Sequence, residues 1–208
     1  MKAFVSYIGG TITRPRNTFV RLLADSRRYR YGLISMLAIV TLYTLAILLL
    51  ELADADITIP AWLAIPAENY YFWEVFFIAP VMILAWILAA GVVQVLGRCF
   101  GGDGEYEDVF TLLGFGIAVP TYTTLIADWA TALLFLSGAI SQTKWLQLTS
   151  HGFWQVFVLG YLGAQLIWLI ALFCIAAATV HKLRWRRAAF PGIVGVLVYQ
   201  ITLLVFIR

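Results

Sequence analysis

The sequence predicts an all-α polytopic membrane protein: a bundle of five transmembrane helices preceded by a short amphipathic helical segment on the cytoplasmic side. Three observations carry that prediction. Apolar residues make up 62% of the 208 residues and charged ones 12%, with a mean hydropathy of +0.91, far from the balance of a soluble domain. Five stretches are apolar over the roughly 20 residues that a helix needs to cross a bilayer. Lys and Arg gather in alternate connections, as they do when short cytoplasmic loops hold back positive charge during insertion. The expected organisation is a basic segment over residues 1–30 and one membrane domain over 31–208.

Residues 1–30 read as a cytoplasmic collar, because Arg14, Arg16, Arg21, Arg27, Arg28 and Arg30 interrupt any apolar run. The same arginines argue against a cleavable signal peptide, so the chain reads as mature. Pro15 suits the first turn of a helix. Phe19, Leu22 and Leu23 then fall on one side, with Arg16 and Arg21 elsewhere. A helix of this kind either rests on anionic lipid headgroups or packs under the bundle, and both readings stand at this point.

The spans are expected over about 32–52, 72–96, 109–130, 153–180 and 190–207. Five crossings put the termini on opposite sides. With the N-terminus inside, the inner regions hold seven basic residues before span 1, Arg98 after span 2, and Lys182, Arg184, Arg186 and Arg187 between spans 4 and 5, which is twelve of the fourteen. Only Lys144 and Arg208 fall outside, beside an outer loop with Asp54, Asp56 and Glu68. Trp62, Trp73, Trp129, Trp145 and Trp154 fall near the outer boundary, where amphipathic rings prefer to sit. The expected orientation is therefore N-inside, C-outside.

Four of the eleven acidic residues, Asp103, Glu105, Glu107 and Asp108, stand just before span 3. They alternate like the opening of a calcium loop, but the turn position that requires Gly is Asp108, and the downstream bidentate Glu is missing. Gly101, Gly102 and Gly104 likewise lack the preceding strand and following Gly-Lys-Ser/Thr of a phosphate loop. A plainer reading has Asp103 capping the helix and the other acids meeting the positive end of its dipole. On the inner side this acidic collar also faces the Arg-rich N-terminal segment and the Lys182–Arg187 loop, where opposite charges would orient three elements.

Within span 3, Thr121, Thr124, Asp128 and Thr131 share one helical face, which Gly114 continues inward, and Pro120 removes a backbone hydrogen bond beside it. Asp128, Glu51 and Glu74 fall at similar outer depth and form a candidate proton or cation site, with interface solvation of Asp128 beside Trp129 as the plainer reading. Gly160 with Ala164, and Gly192 with Gly195, suit close helix approach, and Gln94, Gln165 and Gln200 suit interhelical hydrogen bonds. Cys99 and Cys174 read as packed thiols rather than a disulfide. His151 and His181 lie on opposite sides, and no Ser/His/Asp set, metal-ligand spacing or carboxylate pair is present, so neither enzyme, metal nor cofactor is expected. No basic tract interleaved with aromatics points to nucleic acid.

The order of these features resembles the Yip1 domain family. The resemblance rests on "TRPRNTFVRLLAD" before span 1, an acidic outer loop, and "GRCFGGDGEYEDVFTLLGFGIAVP" entering span 3, with Gly101, Gly102, Gly104, Tyr106, Phe110, Gly114, Phe115 and Pro120 at the family's positions. It implies a five-helix integral membrane protein without catalytic chemistry. Its eukaryotic members are associated with Golgi and endoplasmic reticulum traffic and Rab GTPases. These 208 residues show neither their long N-terminal region nor their Asp-Leu-Tyr-Gly-Pro signature, and the resemblance is to the short prokaryotic branch, which implies a prokaryotic cytoplasmic (inner) membrane. The expected function is membrane organisation around the basic face or helix-mediated association, with the lipid bilayer, anionic headgroups, a second copy or another membrane protein as partner. Small-ion transport through Asp128, Glu51 and Glu74 is the alternative.

Overall fold

The computed structural model describes residues 2–57, 62–63 and 65–207, and these form helices with no strand among them. In chain order they are α1 (Lys2–Thr13), α2 (Pro15–Leu23), α3 (Arg28–Leu52), a single 3₁₀ turn (Ala67–Asn69), α4 (Tyr70–Cys99), α5 (Tyr106–Leu136), α6 (Gln142–Thr149), α7 (Gly152–Val180) and α8 (Trp185–Phe206). Five of them, α3, α4, α5, α7 and α8, are long and apolar enough to cross a membrane. Arg208, counted above as outside, lies beyond the described residues.

Each span outruns its apolar core. α5 has 31 residues, about 46 Å at 1.5 Å per residue, against roughly 30 Å of hydrocarbon. Continuing the helix through the headgroup layer keeps backbone groups paired where water is scarce. Charged residues such as Arg28 and Arg98 therefore sit inside helices rather than in loops.

α5 is the most enclosed span and α7 the least. α3 packs mainly on α5, α4 on α8, and α7 on α8. Lipid is as apolar as Leu, so such contacts depend on close fit, which small residues permit. A Cβ on Gly32 would stand 2.9 Å from the Thr111 Cα, and one on Gly114 2.8 Å from the Gly32 carbonyl oxygen, so α3 and α5 touch backbone to backbone. Gly192 meets the Cys174 backbone in the same way at 2.7 Å, joining α7 to α8. Gly160 differs from expectation. A Cβ there would meet nothing within 4 Å, because the N-terminal half of α7 is little covered and its first buried residue is Leu169.

α2 begins at Pro15 as the sequence predicts, and its apolar face is closed against the bundle, with Phe19 and Leu22 fully buried. α1 and α6 are helices that the charge pattern did not announce. α1 carries no charge between Lys2 and Arg14, and its Phe4 and Tyr7 rings lie 5.8 and 6.4 Å from Phe115, two turns into α5. α6 is capped by Ser141, whose hydroxyl accepts from the Lys144 N–H at 3.3 Å. Both cysteines are free; Cys174 is buried, whereas Cys99 is exposed rather than packed.

Candidate functional site

The richest chemistry gathers at one end of the bundle, where the α4–α5 and α7–α8 turns meet α2 and the start of α3. α4 ends in a tight turn: Gly101 takes φ +86°, and the Gly102 N–H donates to the Gly97 carbonyl at 3.0 Å. α5 then starts at Tyr106 with Glu105, not Asp103, at the capping position, and Glu105 makes no side-chain cap. Glu107 and Asp108 occupy the first turn, near the positive end of the dipole.

Asp103 is instead drawn to the opposite turn, where Lys182 donates to it at 2.9 Å. That hydrogen bond first, and the ammonium charge second, hold the Asp103 carboxyl below its ordinary range. On the other flank the Arg28 guanidinium donates to Asp108 at 2.7 Å in a half-buried pair. The acidic segment thus reaches one basic element on each side. Glu105 and Glu107 remain exposed. A third anchor lies within the collar, where the Tyr7 hydroxyl donates to Asp25 at 2.9 Å and Arg21 stands 5.9 Å over the Tyr7 ring. The Arg27 N–H, and then Tyr7, hold Asp25 below its usual range.

The glycines have a partner that spacing alone did not reveal. His181, at the end of α7, is 2% exposed, and a Cβ on Gly97, Gly102 or Gly104 would come within 2.3, 2.4 or 3.0 Å of its side chain. The glycine cluster is a socket for this imidazole. Burial first, and the nearby Arg98 charge second, lower the His181 pKa, while Asp103 acts in the opposite sense. Gln94 closes the socket by donating to the Gly104 carbonyl at 2.8 Å.

Arg14, Arg16, Arg21, Arg27, Arg184, Arg186 and Arg187 are all exposed, and Arg28 is half-buried. None of the exposed seven forms an ion pair among the described residues. Two cavities adjoin the α7–α8 turn. One of about 270 Å³ lies between Arg16 of α2, Ile175, Ala178 and Thr179 of α7, and Lys182, Arg184 and Trp185. The other, of about 720 Å³, extends from Phe100 and Gly101 along Lys182–Arg187. Lys182 itself has φ +52°, a left-handed conformation that a side chain disfavours.

A family model for the Yip1 domain matches residues 9–207, nearly the whole chain. The chain belongs to the Yip1 domain family. No curated protein and no solved structure matches it. The Yip1 landmarks prove to be contact points of this same end. Phe110 stacks on Trp86 at 3.6 Å between ring centres, and the Trp86 indole N–H donates to the Phe110 carbonyl at 3.0 Å. Tyr106 and Tyr29 flank Phe110, each with its ring centre 5.9 Å away. Gly114 meets Gly32, and Phe115 is fully buried beneath α1.

At the far end of this Yip1 bundle, Glu74 is fully buried and Asp128 half-buried. Glu51, at the end of α3, is half-buried as well. Thr121 and Thr124 turn their hydroxyls back on their own helix, donating to the Ile117 carbonyl at 2.7 Å and the Thr121 carbonyl at 2.9 Å. Beside Pro120 the threonines thus occupy carbonyls of α5 itself. Among the described residues no group of three or more His, Cys, Asp or Glu side chains is arranged to hold a metal ion.

Proposed function

We propose that this Yip1 protein is a non-enzymatic organiser of the membrane, acting through a basic face held in the cytoplasmic leaflet of a prokaryotic inner membrane. The N-terminus lies inside and the C-terminus outside. The observation that supports this reading is the built arrangement of the collar. α2 spends its apolar face on the bundle, so it cannot use that face to enter lipid, yet its arginines and those of the α7–α8 turn stay exposed together. Counting Arg98, this end holds twelve Lys and Arg residues against five Asp and Glu. Juxtamembrane cations of this kind attract anionic lipid with about 1 kcal/mol per residue near the surface.

Electron paramagnetic resonance of spin-labelled lipids tests the proposal on the full chain in vesicles. A larger motionally restricted fraction for phosphatidylglycerol than for phosphatidylcholine is expected, converging near 1 M salt, where the Debye length is about 3 Å. Equal fractions at low salt would overturn it. Small-ion transport stands as a second reading on one observation, the full burial of Glu74 inside a membrane-spanning helix. A proteoliposome in which wild type, Asp128→Asn and Glu74→Gln all pass no protons or cations would sink that reading.

A further inference from the structure

We infer that the groove between α2, α7 and the α7–α8 turn is a binding site for a single anionic phospholipid, with its phosphate between Arg16 and Arg184 and its upper acyl chain against Ile175 and Ala178. This rests on the basic-face reading and sharpens it from a diffuse attraction to one built site.

The groove is two-sided in the way a lipid is. Its upper wall is cationic, formed by Arg16 and Arg184, with Lys182 shared with Asp103. Among the described residues no acidic side chain lines the smaller cavity. Its lower wall is Ile175, Ala178 and Leu183. Ile175 lies five residues before the end of α7, roughly 7 Å down the helix axis. That is the depth at which a glycerol backbone gives way to its first methylenes when the charged turn lies at headgroup level. Trp185, 56% exposed at the rim, has the amphipathic ring suited to that boundary.

The occupant follows from the combination. A free phosphate would use the arginines and leave the apolar wall bare. An acidic peptide would have no reason to reach a turn and a half into a membrane span. A zwitterionic lipid would bring its own cation toward Arg16 and Arg184. An anionic phospholipid satisfies both walls.

The test is native mass spectrometry of the full chain released from nanodiscs of mixed phosphatidylglycerol and phosphatidylcholine. Wild type should retain one phosphatidylglycerol. Arg16→Ala with Arg184→Ala should reduce retention about tenfold or more. Ala178→Phe, which fills the lower wall and leaves every charge in place, should do the same. Arg14→Ala with Arg27→Ala removes two collar charges that do not line the groove and should retain the lipid. Dioctanoyl phosphatidylglycerol should displace the bound lipid, and glycerophosphate at equal concentration should not.

Retention of phosphatidylcholine equal to that of phosphatidylglycerol, equal loss in the Arg14/Arg27 variant, or displacement by glycerophosphate would each overturn the site. If no single lipid is retained while the spin-label preference for phosphatidylglycerol persists, the site is wrong and the basic-face reading stands. If the preference is absent as well, both fall.

Discussion

Gly97→Ala offers a sharp probe of the socket, because two effects of opposite sign compete. Gly97 is inside α4, where alanine gains up to about 1 kcal/mol of helix propensity. Against that, the new Cβ would lie 2.3 Å from both Cδ2 and Nε2 of His181, more than 1 Å inside the usual 3.5–4.0 Å contact. The imidazole has nowhere to retreat, since Gly102 and Gly104 close its other sides. Overpacking of this kind costs about 1–3 kcal/mol, so net destabilisation of up to ~2 kcal/mol is expected. Gly91 is the control in the same helix: a Cβ there meets nothing within 4 Å, and Gly91→Ala should be neutral or stabilising. The assay is reversible unfolding in mixed detergent micelles, followed by tryptophan fluorescence. A Gly97→Ala/His181→Ala double variant should be less destabilised than the sum of its parts, with a coupling of roughly 0.5–3 kcal/mol. If Gly97→Ala is as stable as Gly91→Ala, or the two changes add, the socket is not a tight contact.

Acid should loosen the same end. Burial lowers the His181 pKa, so the folded protein resists a proton that the unfolded chain accepts near pH 6.5; stability is full above that value and falls as the pH drops through it. Unfolding midpoints at pH 7 and 5 should differ in wild type and differ less in His181→Gln; parallel shifts would refute this. The exposed Lys182–Asp103 pair should matter little, so Asp103→Asn should leave the unfolding midpoint close to that of wild type. Arg28→Asp with Asp108→Arg should recover part of what each change loses alone in the same unfolding assay, and no recovery would deny the half-buried pair an orienting part. Gly192→Ala should weaken the α7–α8 contact while Gly160→Ala does not, read as unfolding midpoints. Thr124→Cys should resist a membrane-impermeant thiol reagent applied from outside, whereas ready labelling would favour a water-filled path.

Five spans were legible because hydrocarbon thickness imposes a length and a composition that few other constraints blur. Pro15 was legible for a local reason, as its missing N–H suits a first helical turn. Asp103 misled because capping was judged from spacing alone, while Lys182, 79 positions away, competes for the same carboxylate. The socket was hidden for the same reason: Gly97, Gly102 and Gly104 look like loop punctuation until His181 is brought against them by the pairing of distant helices. Gly160 and Gly192 carry the same small-residue signal, and only the neighbours decide that one packs and the other faces outward. α6 escaped notice because a short polar helix has no membrane period to announce it.

The glycine contacts between spans lie toward the collar end, whereas the N-terminal half of α7 leaves Phe153, Val156, Leu159 and Ile167 largely uncovered. The spans are thus held backbone to backbone at the collar end, while the start of α7 offers apolar side chains that no other helix covers. A change in bilayer thickness, which other helices meet by tilting as whole rods, would here be absorbed by the free half of α7 while the basic face keeps its geometry.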